Sequence, residues 1–131
     1  MEKHADVATV RVIYDAMAAG DFARVLGLLD DSCVITQDTA VPWGGRFVGP
    51  DGFAHFGLTL REHIESQVTI DAVFAADGDV YEVGRTRGTA LRSGRSFDVA
   101  EVHRWTIRDG KAVAAHFAID NAAMLEALAL L

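Results

Sequence analysis

Apolar residues recur at helical spacing at the start of the chain. In residues 4–19, valine, tyrosine and methionine follow one another every three or four positions, which predicts an amphipathic helix that ends at Gly20. Asp21 can cap a short second helix, and the cluster Asp30-Asp31-Ser32 stops it. Residues 33–38 contain several β-branched side chains and predict a strand.

A glycine-rich loop and a third helix follow. Residues 39–49 contain Pro42, Trp43 and three glycines, and they predict a loop with a short strand around Phe47. Pro50 suits the first turn of a helix, because a proline there removes no hydrogen bond within the helix. The inward face of this helix carries Phe53, Phe56, Leu60 and Ile64.

After residue 66 the apolar period changes from helical to two, which is typical of β-strands. The pattern predicts strands at residues 68–74, 80–91, 96–107 and 111–119, and a last helix from residue 121 to the end. Helices gather in the first half and an antiparallel meander fills the second, so the predicted fold class is α+β. Three helices on one face of a curved, mainly antiparallel sheet form a cone, and we expect it to enclose a pocket.

Composition narrows the classes of protein and of partner. The chain has 131 residues, half of them apolar, which suits a single domain over residues 1–131. Its one cysteine, Cys33, excludes an internal disulfide, and its five histidines do not cluster, so we expect no metal and no cofactor. A net charge of −7 argues against a nucleic-acid partner. Because the sequence shows neither a long apolar run nor a secretion signal, we expect no membrane span and a cytoplasmic location.

Two ionisable residues interrupt an apolar face of the strand at residues 96–107. Side chains on a strand alternate between its two faces, so the odd positions all face the core. Glu101 and His103 are among them, and burying such groups is costly unless they are paired, hydrogen-bonded or beside a wet cavity. The odd face consists of Phe97, Val99, Glu101, His103, Trp105 and Ile107.

The turn at residues 109–110 decides what lies opposite the imidazole on the next strand. A type I turn with a bulge places His103 opposite Ala115, whereas a two-residue turn places it opposite His116. We predict the first register, because it keeps the apolar faces of both strands together. The small Ala115 would then leave room in front of the imidazole.

His103 is the best candidate for acid–base chemistry, because the ordinary pKa of histidine lies nearest neutrality. Glu101, two residues away on the same face, could orient the imidazole or act with it. The alternative is structural: the two side chains simply satisfy each other at a sheet edge or under a helix.

Other side chains could line a pocket around this pair. Gln37 lies at the end of the strand at residues 33–38, facing inward, where its amide could hydrogen-bond a substrate oxygen. Trp43 could cover the pocket, and Tyr14 could point its hydroxyl into it. The predicted pocket residues are Gln37, Trp43, Phe53, Phe56, Trp105, Phe117 and Tyr14.

Short motifs in a characteristic order run along nearly the whole chain. They include Ala19-Gly20-Asp21, Trp43-Gly44-Gly45, Ala76-Asp77-Gly78-Asp79, Gly94-Arg95-Ser96-Phe97, His103-Arg104-Trp105 and Arg108-Asp109-Gly110-Lys111. By their order and spacing the chain resembles the nuclear transport factor 2-like (NTF2-like) superfamily, in its SnoaL-like, ketosteroid-isomerase-related branch. The resemblance implies a cone-shaped α+β barrel with a deep apolar pocket, and a homodimer packed through the sheet.

The resemblance carries over to the candidate site only in part. Aligned from residues 19–21, the catalytic tyrosine of the steroid isomerase falls on Ile13, its general-base aspartate on Gln37 and its second acid on His103. In polyketide cyclases of this family a histidine matches His103, and the acid–base aspartate falls on Phe117. The resemblance therefore implies a role for the pocket histidine alone.

Three hypotheses about function follow. The first is a small-molecule pocket protein that performs cofactor-independent isomerisation, cyclisation or dehydration of a hydrophobic substrate, with His103 transferring the proton and Glu101 tuning it. The second is a non-catalytic dimeric protein that binds a ligand. The third is a protein-interaction module that docks through the small side chains Ala112, Ala114 and Ala118 and the apolar tail at residues 128–131.

Overall fold

The computed structural model describes residues 2–131, with side chains from residue 4 onward, as a curved sheet covered by helices. The helices are α1 (Glu2–Ala18), α2 (Phe22–Gly27), α3 (Gly49–His63) and α4 (Asn121–Ala127). The strands are β1 (Leu29–Gln37), β2 (Gly45–Val48), β3 (Ile64–Ala76), β4 (Asp79–Ala90), β5 (Ser96–Arg108) and β6 (Lys111–Ile119).

The six strands form one sheet in the order β2-β1-β6-β5-β4-β3. Strands β1 and β6 run parallel, and every other neighbouring pair is antiparallel. The α+β class and the three helices of the first half are confirmed. The sheet is curved but does not close, and β2 and β3 are its two edges.

The start of α2 follows the predicted local chemistry, and α4 starts in the same way. Asp21 caps α2 by accepting a hydrogen bond from the Arg24 amide, and Asp120 caps α4 in the same way through the Ala123 amide. The last helix stops at residue 127 and does not run to the end. None of the helices in residues 2–131 is long and apolar enough to cross a bilayer.

Strand β1 begins earlier than the sequence predicts. Leu29 already pairs with Ala112 of β6, and the Ala112 amide donates to the Leu28 carbonyl at 2.8 Å. Asp30, Asp31 and Ser32 lie in the strand although they have no partner residue on β6, because the pairing is interrupted between Leu29 and Val34.

The register between β5 and β6 differs from both predicted alternatives. Asp109 and Gly110 form a two-residue turn with positive φ at both positions, which places Arg108 opposite Lys111. Farther along, β6 contains one extra residue, and this bulge shifts the pairing so that His103 lies opposite Phe117. The prediction that Ala115 leaves room in front of the imidazole is wrong, since Ala115 pairs with Trp105.

The core lies between the sheet and helices α1 and α3. Helix α1 contacts β3, β4 and β5, and helix α3 contacts β1, β2 and β3. The alternation on β5 is confirmed, because every odd position from residue 97 to residue 107 is buried. Glu101 and His103 therefore lie inside the fold.

A buried cluster of ionisable side chains

Glu82, Glu101 and His103 converge on the inner face of the sheet. Glu82 of β4 lies directly opposite His103 of β5, and Glu101 lies opposite Gly84. All three side chains are buried, and each offers one ligand-type atom within 4.8 Å of the others. We refer to these three residues as the buried triad.

Glu82 is not among the site residues predicted from the sequence. The period-2 alternation of β4 places Glu82 on the same face as Val80 and Gly84, and this signal would have revealed it. Gly84 leaves room for the Glu82 carboxyl, because a Cβ atom at position 84 would lie 2.6 Å from Glu82 Oε2.

Tyr14 of α1 forms a hydrogen bond with one nitrogen of the His103 imidazole. Its Oη lies 2.6 Å from His103 Nδ1, and Trp105 Nε1 donates a hydrogen bond to the same Oη at 2.9 Å. His103 Nε2 makes no hydrogen bond to any described residue and lies 3.6 Å from Glu101 Oε1. The ring is thus fixed at Nδ1, and Nε2 is the nitrogen available to a bound molecule.

The carboxyl groups of the buried triad make fewer hydrogen bonds than their oxygens could accept. Thr86 Oγ1 donates to Glu101 Oε1, and Glu82 Oε1 lies 3.2 Å from His103 Nδ1. Among the residues from 2 to 131, however, neither oxygen of Glu82 nor Oε2 of Glu101 has a hydrogen-bond partner. Buried polar atoms rarely lack a hydrogen-bond partner in folded proteins, so these three oxygens need an explanation such as a functional role.

Burial determines the protonation of this cluster. It raises the pKa of the Glu82 carboxyl to about 9, with a smaller contribution from the neighbouring Glu101. Burial also lowers the pKa of the His103 imidazole to about 4, although the Glu101 carboxylate opposes this shift. The short distances between the imidazole and the two carboxyl groups suggest an ion pair, but desolvation outweighs that attraction. At neutral pH we therefore expect a proton on Glu82 and a neutral imidazole.

An aromatic wall adjoins the imidazole. The ring centroid of Phe117 lies 4.7 Å from that of His103, Phe56 lies 5.5 Å from Phe117, and Phe53 lies 6.2 Å from Phe56. Gln37 is the register partner of Phe117 on β1, and its amide makes no hydrogen bond within the described chain. These five residues each keep only 6–9% of their surface accessible, so all of them are nearly buried.

Trp43 does not join this group. It is buried in the core and packs against His63, with 5.9 Å between the ring centroids. The structure therefore brings together the predicted residues Tyr14, Gln37, Phe53, Phe56, Glu101, His103, Trp105 and Phe117, and places Trp43 apart from them.

Two surface cavities lie away from the buried triad. One of about 500 Å³ lies between β5 and α4, beside Phe97 and Ala123, and one of about 300 Å³ lies beside Asp31 and Pro50. Neither is lined by His103. The deep apolar pocket stays a prediction.

The SnoaL-like domain model matches residues 10–115 of the sequence. This chain belongs to the SnoaL-like family. The match covers α2, α3 and strands β1 to β5, with parts of α1 and β6, so the buried triad lies within it. No curated protein sequence matches the chain.

Solved structures share the fold of this SnoaL-like chain. An NTF2-like protein of unknown function from Burkholderia pseudomallei is 27% identical, with a TM-score of 0.87 over 95% of this chain and 97% of that one. TerC, co-crystallised with polyporic acid, is 20% identical, with a TM-score of 0.87 over 95% and 98% of the two chains. A putative polyketide cyclase from Xanthomonas campestris is 16% identical, with a TM-score of 0.85 over 98% and 99%.

Proposed function

We propose that this SnoaL-like chain binds a small hydrophobic molecule at the aromatic wall and performs acid–base chemistry on it without a cofactor. Isomerisation, cyclisation and dehydration are the reaction types that such chemistry serves. The observation that supports the proposal is the state of His103: Tyr14 fixes Nδ1 at 2.6 Å, while Nε2 has no hydrogen-bond partner among the described residues.

His103 is the proposed proton carrier and Glu101 the group that tunes it. A low pKa keeps the buried imidazole neutral, and with its one ring proton on Nδ1, donated to Tyr14 Oη, Nε2 can accept a proton from a substrate carbon. The imidazolium that forms is stabilised by the Glu101 carboxylate, 3.6 Å from Nε2. The pKa of the Glu82 carboxyl is raised instead, so this group keeps its proton. A pair of groups whose pKa values are driven apart in this way is typical of acid–base sites.

The proposed substrate is apolar and carries at least one oxygen. Phe53, Phe56 and Phe117 offer an apolar surface, and the amide of Gln37 can donate to a carbonyl or hydroxyl oxygen. The structural similarity to TerC, which was crystallised with polyporic acid, and to a putative polyketide cyclase supports this substrate class.

We also propose that the chain forms a homodimer through the outer face of its sheet. Phe74 and Val102 are 45% and 43% exposed there, and Phe74 stacks on Tyr81 with 5.8 Å between the ring centroids. Apolar side chains of this size on an open sheet favour a protein partner. Light scattering should give the mass of two chains, and the mass of one chain would refute this proposal.

The enzyme proposal predicts that the protein accelerates proton exchange next to a ketone. We choose 2-tetralone as the probe, because it is apolar and has acidic protons beside its carbonyl. Proton NMR in D₂O should show that exchange is faster with the protein than in buffer. Binding should weaken several-fold in Phe56→Leu and remain unchanged in Phe22→Leu, since Phe22 is exposed and lies outside the aromatic wall.

Two outcomes of this experiment count against the proposal in different ways. Binding of 2-tetralone without faster exchange would refute the acid–base role and favour a non-catalytic ligand-binding protein. If Phe56→Leu and Phe22→Leu bound 2-tetralone equally well, the aromatic wall would not be the binding surface.

A further inference from the structure

We propose that the buried triad of Glu82, Glu101 and His103 is a binding site for one divalent transition-metal ion. The three residues supply two carboxylates and one imidazole, and their ligand atoms lie within 4.8 Å of one another. Atoms so close together can reach one ion with only small side-chain rotations, because metal–ligand bonds to nitrogen and oxygen are about 2.0–2.2 Å long.

The buried carboxyl oxygens that accept no hydrogen bond provide an independent argument. Glu82 is completely buried, and within the described part of the chain neither of its oxygens accepts a hydrogen bond, nor does Glu101 Oε2. An ion between these groups would supply the missing partners. It would replace the proton that Glu82 otherwise carries, and it would neutralise two carboxylates that are costly to bury as anions.

Neighbouring side chains already orient the donors. Tyr14 lies on the Nδ1 side of the imidazole, and Thr86 donates to Glu101 Oε1, which leaves His103 Nε2 and Glu101 Oε2 free. Glu82 Oε1 lies 3.2 Å from Nδ1, so this side chain would turn to reach an ion held at Nε2. Hydrogen bonds of this kind to the far side of a ligand are a regular feature of metal sites, since they fix the orientation of the ligand.

The donor set indicates the class of ion. Two carboxylates and one imidazole with coordination positions left open are typical of Mn²⁺, Fe²⁺ and Co²⁺ sites, and Zn²⁺ also accepts these ligands. Ca²⁺ and Mg²⁺ prefer all-oxygen ligands, so we expect both to bind more weakly.

This inference goes beyond the proposed function and does not depend on it. An ion on the triad would occupy the imidazole nitrogen that the acid–base proposal uses, so the loaded protein should not accelerate proton exchange. Metal binding is therefore measured directly, and the exchange assay is run separately with EDTA-treated protein. Either proposal can fail while the other stands.

The test is equilibrium dialysis of the EDTA-treated full chain against Mn²⁺, Co²⁺ or Zn²⁺, followed by elemental analysis. We expect one ion per chain, visible absorption bands from bound Co²⁺ and a rise in melting temperature on loading. Glu82→Gln and Glu101→Gln should each weaken binding at least about tenfold. Glu65→Gln and His55→Gln remove an exposed carboxylate and an exposed imidazole, and should leave binding unchanged.

Two results would overturn the inference. One is the absence of stoichiometric binding of any of the three ions to the folded wild-type chain. The other is binding that survives unchanged in both Glu82→Gln and Glu101→Gln, since the ion would then lie elsewhere. Glutamine has nearly the shape of glutamate and removes a buried charge, so both variants should fold, and circular dichroism checks this.

Discussion

Replacement of His103 by glutamine is expected to lower the rate constant for proton exchange from 2-tetralone by roughly 10²–10⁴-fold, the usual contribution of a positioned acid or base. Glutamine retains a hydrogen-bonding group near Tyr14 but cannot accept the proton at neutral pH. The affinity for 2-tetralone should change little, because the aromatic wall remains. The measurement is the exchange rate at saturating 2-tetralone, followed by proton NMR for the wild type and the variant.

His55→Gln is the matched control for this comparison. His55 lies on the exposed side of α3 and contacts Phe47, so its loss should leave the exchange rate unchanged. Equal rates in His103→Gln and the wild type would contradict the catalytic role of His103, whether or not 2-tetralone binds.

The stability of the fold should fall as the pH rises from about 6.5 to about 9. The ordinary pKa values are 6.5 for His103 and 4.5 for Glu82, and the folded values are about 4 and about 9. Between pH 4.5 and 6.5 each state holds one proton, on Glu82 when folded and on His103 when unfolded, so their contributions cancel. Above pH 6.5 only the folded chain retains its proton. Stability then falls by roughly 1.4 kcal/mol per pH unit.

Other titratable groups lie near Glu82 and His103 and influence their pKa values. Glu101 from β5 and Asp71 from β3 act on Glu82 by their charge, Tyr14 lies beside it on α1, and His116 acts on His103. Tyr14 does not titrate in this range, because burial raises the pKa of its hydroxyl well above 10. The fall in stability should therefore reflect Glu82.

The measurement is urea unfolding at several pH values, with Glu82→Gln as the variant and Glu65→Gln as the control. Glu82→Gln should abolish the fall above pH 6.5. With Glu82 absent, the depressed pKa of His103 acts alone, so stability should decline as the pH drops from 6.5 towards 4. Parallel pH profiles for the wild type and Glu82→Gln would contradict the assignment of the proton to Glu82.

Local patterns predicted the part of the site that lies on one strand. The alternation of β5 places Glu101 and His103 inside, and this needs only the two-residue period of a strand. The fold class follows in the same way from the change of period after residue 66. The helix cap at Asp21 is equally local.

The contacts of the site could not be predicted, because they depend on how separate elements meet. Tyr14 and His103 are 89 residues apart in sequence, and no pattern within either element states that their polar atoms lie 2.6 Å apart. The bulge in β6 moved Phe117 opposite His103, although turn chemistry alone favoured other partners. Glu82 was visible in the alternation of β4, but its meaning depended on the register that pairs it with His103.

The central claim is that burial holds one proton on Glu82 and keeps His103 neutral. NMR titration of the wild-type chain, with ¹⁵N detection of the histidine ring and ¹³C detection of the glutamate carboxyl groups, tests it most directly. We expect His103 to stay neutral until about pH 4 and the Glu82 carboxyl to titrate near pH 9. Titration of His103 near its ordinary pKa of 6.5, together with a Glu82 carboxylate that is ionised at pH 7, would contradict it.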